Sequence, residues 1–220
     1  MTLFLHHELE RLKKTLLSLG TMVEDRVYMA SAAIRSMDPE LARKVVESDH
    51  EIDDMEVEVE EDCLKIIALY QPVAVDLRFL VCVIKINNDL ERIADLAVNI
   101  GRRVMTMAEA GSCIPFYDYT EMAQKSGMML KKSLDAFVNM DAVVANAVRA
   151  MDDEVDDMKN EVYDRVKRAL RERPEDVGYL INMFLISRHL ERIADHATNI
   201  AEEVIYVIEG QIVRHSVARP

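Results

Sequence analysis

An eleven-residue segment occurs twice in this chain, and its two copies start one hundred residues apart. LERIADLAVNI occupies residues 90–100, LERIADHATNI occupies residues 190–200, and nine of the eleven positions are identical. A second match, between residues 49–55 and 152–158, lies upstream at an offset of 103 residues. The chain therefore consists of two homologous halves of about 110 residues, a period closer to the size of a domain than to that of a solenoid repeat.

Few residues in this chain break helices, since only six Gly and five Pro occur among 220 residues. Between these breakers, helical periodicity predicts six helices near residues 5–36, 40–70, 74–109, 117–138, 141–171 and 175–213. Asp38, directly before Pro39, is the expected N-cap of the second helix. Three helices per half predict an all-α fold of two tandem antiparallel three-helix bundles related by pseudo-twofold symmetry, one in residues 1–110 and one in residues 116–215.

The chain is strongly acidic, with a formal net charge of −13. Such a surface is poorly suited to nucleic acid, which is bound through clustered Lys and Arg, and better suited to cations or basic protein surfaces. Cys63, Cys82 and Cys113 lack the spacing of a metal site, so we expect reduced packing residues in a cytoplasmic protein. The most apolar run, residues 79–86, is too short to span a bilayer, so we expect contact with a membrane only through partners.

Pairs of carboxylates four residues apart recur at matching positions of the two halves. Residues four apart lie on one face of an α-helix, where like charges destabilise the helix by roughly 0.2–0.5 kcal/mol per pair unless something neutralises them. The four pairs are Asp49/Asp53, Glu91/Asp95, Asp152/Asp156 and Glu191/Asp195.

These pairs have two interpretations. They form either a solvated acidic face, neutralised by nearby residues such as Arg92 and Arg192, or a set of metal ligands. The second is favoured because the pairs recur and because Glu91 and Glu191 follow apolar stripes, where a desolvated carboxylate requires a partner. Oxygen ligands without His or Cys suit hard cations, so we expect iron, Mn or Mg, with Zn a further candidate, bound singly or as a multinuclear cluster. Asn99 and Asn199 continue the same rows, and hydrogen bonding to a neighbouring helix is their expected role, with metal ligation as the alternative.

Several runs together resemble the PhoU family of phosphate-transport accessory proteins. They are residues 7–9, Asp49 to Asp53, QPVAVDLR at 71–78 and NDLERIADLAVNI at 88–100. The resemblance covers essentially the whole chain, once in each half, and implies two three-helix bundles. Some family members bind multinuclear metal clusters through Glu/Asp-x-x-x-Asp motifs, which match the eight acidic residues above.

The resemblance also implies a function. The chain would be a negative regulator of phosphate uptake and of the phosphate-starvation response, acting as an adaptor between the ATPase subunit of a phosphate ABC transporter and a sensor histidine kinase, and it would form a homodimer. The two halves differ at one surface, because QPVAVDLR is replaced by RPEDVGYL at 173–180 in the second half. If residues 71–78 dock a partner, the corresponding surfaces of the two halves are not equivalent.

Two other functions are compatible with the residues. A di-metal carboxylate enzyme is one, but the Glu-x-x-His motif of ferritin-like bundles is absent from these acids, so we expect no catalysis. A purely structural helical scaffold with solvated acids is the other. Few Gly and no phosphate-cradling loop make a nucleotide site improbable. His196, present only in the second copy, is assigned no shared role.

Overall fold

The computed structural model describes residues 2–111 and 116–210, and the segments described are helical almost throughout. The helices are α1 (Thr2–Ser36), α2 (Pro39–Glu47), α3 (His50–Tyr70), α4 (Ala74–Glu109), α5 (Thr120–Asn139), α6 (Ala142–Arg149), α7 (Asp152–Glu172) and α8 (Val177–Glu209), with a 3-10 turn at Pro174–Asp176 before α8. The all-α prediction is therefore confirmed. Cys113 and residues 211–213 of the predicted last helix lie outside the described residues.

The N-cap predicted at the start of the second helix is present and recurs in the other half. Asp38 Oδ1 accepts hydrogen bonds from the backbone N–H groups of Glu40 (2.9 Å) and Leu41 (3.1 Å). At the equivalent position, Asp141 Oδ1 accepts them from Val143 (2.8 Å) and Val144 (3.1 Å). Each cap satisfies two N–H groups that have no partner inside the helix.

The second predicted helix of each half is interrupted, which sequence periodicity did not indicate. A two-residue turn at Ser48 and Asp49 separates α2 from α3, and a turn at Ala150 and Met151 separates α6 from α7. In the first half the Ser48 hydroxyl donates to backbone carbonyls of the preceding turn, a local bond that competes with the helical ladder. The interruptions place Asp49 and Asp152 at the starts of new helices.

The two longest inner helices, α4 and α8, pack against each other at the centre of the molecule. Helices α1 to α3 pack on α4, and α5 to α7 pack on α8. The contacts Lys85–Glu203 and Arg103–Asn182 show that α4 and α8 are antiparallel, because the α8 position falls as the α4 position rises. The predicted pair of three-helix bundles is thus joined through a continuous apolar core.

A close approach between helices explains one glycine of the repeated segment's helix. A Cβ on Gly101 would lie 3.0 Å from the backbone oxygen of Ala42, so α2 and α4 touch through their backbones at this point. Cys63 and Cys82 are buried with free thiols, as expected of packing residues, and burial raises the pKa of the Cys63 thiol to about 12. Among the described residues, no helix combines the length and the apolar character needed to cross a membrane.

Candidate functional site

The four candidate acids of the first half lie together where the start of α3 meets the middle of α4. Burial raises the pKa of Asp49, and the negative charges of Asp53 and Asp95 raise it further. Burial also raises the pKa of Glu91, followed by the charges of Asp95, Asp53 and Glu56. The acids are therefore close enough to repel one another, and Glu56, one turn beyond Asp53, belongs to the same cluster.

The four candidate acids of the second half form an equivalent cluster at the start of α7. Asp195 keeps one side open to solvent, yet burial by its neighbours raises its pKa to about 6, with the charges of Glu191, Asp152 and Asp156 acting in the same direction. Asp152 Oδ1 accepts a hydrogen bond of 3.1 Å from Thr198 Oγ1. Each cluster thus brings both predicted pairs of its half together.

The two clusters differ in the cation that neutralises them. In the second half Lys159 Nζ lies 2.9 Å from Glu191 Oε1 and 3.1 Å from Asp156 Oδ1. The residue equivalent to Lys159 at the offset of 103 is Glu56, so the first half has a fifth acid where the second half has a base. In the first half Arg92 contacts Glu91 and Asp95 at 3.3 Å each, from a side chain that is 53% exposed and therefore weakly held.

The donor chemistry of both clusters fits a hard cation, because all eight candidate ligands are carboxylates. Across residues 2–111 and 116–210, however, no three carboxylate, imidazole or thiolate side chains are already gathered around one metal position. Metal binding would require the carboxylates to move closer to a common position, in competition with the ion pairs of Arg92 and Lys159. The metal sites therefore stay a prediction.

The asparagines of the repeated segment are engaged in hydrogen bonds. Asn99 Oδ1 accepts from Arg102 Nη1 at 3.2 Å, and Asn199 Nδ2 donates to Asp89 Oδ1 at 3.3 Å. The second of these bonds joins α8 to α4, which is the role expected for Asn199. The bond of Asn99 stays within α4 and does not reach a neighbouring helix.

A cleft of about 880 Å³ opens between α3, α4 and α8, where one half meets the other. Six carboxylate residues line it: Glu56, Glu60, Asp89, Asp152, Asp195 and Glu202. Lys85, Arg192 and His196 are the basic residues of its lining. The cleft extends the acidic cluster of the second half toward α3 of the first half, so it is a shared surface of the two repeats.

Two pairs, each of an acidic and a basic residue, connect α4 and α8 at or beside this cleft. His196 Nδ1 lies 2.8 Å from Oδ1 of Asp89, a residue that is only 7% exposed. Lys85 Nζ lies 3.1 Å and 3.3 Å from the carboxylate oxygens of the buried Glu203. Sequence reasoning missed Asp89, Glu202 and the role of His196. The only signal was a difference between the copies, since Leu96 stands where the second copy has His196.

Comparison with known proteins identifies the class of this helical bundle. The family model described as the PhoU domain matches the chain twice, at residues 16–104 and 119–204. One matched segment falls within each half of the chain that the internal repeat defines. The chain belongs to the PhoU family, and the resemblance inferred from its motifs is confirmed.

Relatives and solved structures match over nearly the whole chain. A phosphate-specific transport system accessory protein PhoU homolog of Aquifex aeolicus is 36% identical over 96% of this chain and 96% of its own length. The homolog from Pseudomonas aeruginosa is 37% identical over 94% of this chain and 86% of its own. The crystal structure of PhoU from Pseudomonas aeruginosa superposes with a TM-score of 0.90 at 36% identity, covering 94% of this chain and 99% of that one. The crystal structure of the phosphate transport system regulatory protein PhoU from Streptococcus pneumoniae superposes with a TM-score of 0.88 at 28% identity, covering 95% of this chain and 99% of that one.

Proposed function

We propose that this chain is an accessory protein of a phosphate-specific transport system and restrains phosphate uptake and the phosphate-starvation response. The observation that carries this proposal is the match of both repeats, over nearly the whole chain, to proteins named as accessory proteins of that system. The protein acts as a cytoplasmic adaptor. It contacts the ATPase subunit of a phosphate ABC transporter and a sensor histidine kinase, and so reaches the membrane only through these partners.

The physical properties of the molecule support an adaptor. Long helices fixed by a continuous core give a rigid scaffold, and a net charge of −13 gives a surface complementary to basic patches. Relatives are named accessory or regulatory proteins, which favours a non-enzymatic role over a di-metal carboxylate enzyme. We also propose that the adaptor is a homodimer.

We further propose that the acidic clusters bind hard metal ions, namely iron, Mn or Mg. The ligands would be Asp49, Asp53, Glu91 and Asp95 in the first half and Asp152, Asp156, Glu191 and Asp195 in the second. A bound ion would offset the burial and the mutual repulsion that raise the pKa of Asp49, Glu91 and Asp195. Anomalous scattering from crystals soaked in Mn²⁺ tests this directly, with peaks expected among the acids. Featureless maps at both clusters would leave the purely structural scaffold as the better account.

The adaptor role is tested by capture of partners. Tagged protein is incubated with solubilised membranes from phosphate-replete cells of its source organism, and the bound proteins are identified by mass spectrometry. We expect the transporter ATPase subunit and a sensor histidine kinase, enriched over a control of comparable charge such as an unrelated acidic helical protein. Equal recovery on both baits, or recovery of neither partner, would contradict the adaptor role.

A further inference from the structure

At several positions around the contact between α4 and α8, an acid of one repeat corresponds to a basic residue of the other. The cleft takes α3 and the first part of α4 from one repeat and the last part of α8 from the other. Its pseudo-equivalent surface therefore combines α7, the first part of α8 and the last part of α4. With offsets of 103 residues between α3 and α7 and 100 between α4 and α8, three acids of the cleft correspond to basic residues: Glu56 to Lys159, Asp89 to His189 and Glu202 to Arg102. Beside the cleft, the buried Glu203 corresponds to Arg103, whereas Asp152 and Asp195 correspond to the acids Asp49 and Asp95. The cleft is thus more acidic than its pseudo-equivalent surface.

Three of the four bases of the second surface are already engaged within the molecule, and both ring nitrogens of the fourth, His189, are buried. Lys159 bridges Asp156 and Glu191 at 3.1 and 2.9 Å. Arg102 Nη1 donates to Asn99 Oδ1 at 3.2 Å, and Arg103 Nη1 donates to Asn182 Oδ1 at 3.4 Å. These groups are therefore poor candidates to enter the cleft of a second copy of this chain, and the complementary charge is expected from a different protein.

A buried amide in the cleft wall points to a missing hydrogen-bond donor. Asn87 lines the cleft and is 1% exposed, and its Nδ2 donates to the backbone oxygen of Glu56 (2.9 Å) and to Glu56 Oε1 (3.2 Å). Its Oδ1 has no partner within the described residues. A buried acceptor without a donor is destabilising and rare. The equivalent Ser187 is satisfied, because its hydroxyl donates to the backbone oxygen of Phe184 at 2.7 Å.

We propose that the cleft between α3, α4 and α8 binds a basic segment of a partner protein, with Arg or Lys side chains directed at its carboxylates. This inference rests on the adaptor role and specifies the surface that performs it. Guanidinium and ammonium groups are donors without acceptors, as both the carboxylates and Asn87 Oδ1 require. The volume of about 880 Å³ falls within the range of sites that hold small molecules or a few side chains, so it suits a short segment rather than a folded domain. The pseudo-equivalent surface does not bind such a segment.

The test uses a fluorescein-labelled hexa-arginine peptide and two matched variants of the full chain. Glu60→Lys and Glu58→Lys change the same net charge on the same helix, but residues two apart on an α-helix point to opposite sides, and only Glu60 lines the cleft. Fluorescence anisotropy is measured with EDTA present, so that metal does not contribute. We expect Glu60→Lys to weaken binding by roughly tenfold and Glu58→Lys by less than about twofold, with affinity falling as salt rises.

A second readout avoids any variant that disturbs folding. The side-chain amide resonances of Asn87 are followed by nitrogen-15 NMR during titration of the unlabelled peptide into the wild-type chain, and we expect them to shift saturably with the same dissociation constant. Equal weakening by both variants would mean diffuse attraction to an acidic surface and would overturn the proposal. Absence of binding, or unshifted Asn87 resonances, would also overturn it. The proposal would also be overturned if the wild-type chain were a dimer and Glu60→Lys dissociated it, because a second copy of the chain would then occupy the cleft.

The experiments distinguish a failure of the cleft as a docking surface from a failure of the adaptor role. If the transporter ATPase is captured from membranes equally well by the wild-type chain and by Glu60→Lys, the adaptor role stands and the cleft is not its docking surface. If the peptide binds as expected but no transporter or kinase is captured, the cleft stands and the adaptor role falls.

Discussion

Single residues decide how the repeated acids are neutralised. Lys159 and Glu56 occupy equivalent positions, yet one supplies a cation to its cluster and the other adds a carboxylate. The side chain of Lys159 is only 23% exposed and contacts two acids, whereas Arg92 in the first half is more than half exposed. The first cluster therefore has the greater need for an external cation, and the second carries much of its own.

Replacement of Lys159 by Gln tests this difference. Removal of the ammonium group leaves the acids of the second half without their nearest cation, and we expect the free energy of unfolding in EDTA to fall by about 0.5–1 kcal/mol, the upper range for a partly exposed ion pair. Added Mn²⁺ should raise the melting temperature of the variant more than that of the wild type. Lys65→Gln, which removes the ion pairs of an exposed lysine with Glu61 at 3.1 Å and Asp62 at 3.6 Å, is the control and should change neither quantity appreciably. An equal response to Mn²⁺ in the wild type and Lys159→Gln would contradict a built-in cation.

The raised pKa of Asp195 gives a pH dependence with a definite sign. Its pKa is about 6 in the folded protein, above the ordinary value of 3.8, so protonation favours the folded state. This contribution to stability is fully present below about pH 4 and is lost as the pH rises through about 6. We expect Asp195→Asn to melt at a higher temperature than the wild type at pH 7 and to show a flatter profile between pH 4 and 7 in EDTA.

The control for this profile is Asp164→Asn, which removes the charge of an exposed acid on α7. It should keep the slope of the wild type. Parallel profiles for the wild type and Asp195→Asn would show that the acids of the second half do not repel one another. Saturating Mn²⁺ should reverse the order of the two melting temperatures at pH 7, because the carboxylate would then be needed as a ligand.

At the scale of elements, the ends of the helices distinguish the two repeats. Two non-glycine residues with positive φ lie where α3 passes into α4: Gln71, in the turn, has a φ of 48°, and Ala74, the first residue of α4, has a φ of 51°. Val73 and Val75 are exposed beside them, at 74% and 57%. The corresponding segment of the second half forms the 3-10 turn before α8 instead. The QPVAVDLR run thus creates an apolar, strained end in the first repeat only.

Gln71→Gly tests the strain in this turn. Gln71 caps the C-terminus of α3 in the left-handed conformation, which costs a residue with a Cβ about 1–2 kcal/mol. Glycine relieves this strain, but its greater freedom in the unfolded chain offsets part of the gain in stability. We expect a net stabilisation of about 0.5–1 kcal/mol, measured by urea denaturation. Gln124→Gly, at an exposed position inside α5, should instead destabilise by about 1 kcal/mol. A loss of stability in both variants would argue against strain at Gln71.

The sequence predicted elements better than it predicted contacts between them. Prolines and glycines marked most helix ends, and the fixed spacing of the repeat placed both acidic pairs of each half near one another. The interruption at Ser48 contains neither Gly nor Pro, so periodicity ran through it. The pair Asp89–His196 depends on the antiparallel register of α4 and α8, which joins residues 107 apart and cannot be read from either helix alone.

At the scale of the whole molecule, duplication has produced two similar bundles with unequal surfaces. The core positions of the repeated segment are kept, as in Ile93 and Ile193, both fully buried. Several surface positions have diverged, so that a more acidic cleft lies on one side and basic residues, three of them internally paired, lie on the other. An adaptor that contacts two different partners needs such inequality, because identical faces would bind the same partner twice.

The most direct test of the regulatory role is made in cells grown with abundant phosphate. A reporter for the phosphate-starvation response is measured in a strain lacking this gene and in the same strain complemented with the wild-type chain. We predict strong reporter activity without the gene and return to the repressed level on complementation. Reporter activity that stays repressed without the gene, in cells that still induce it on phosphate withdrawal, would contradict the role of this protein as a negative regulator.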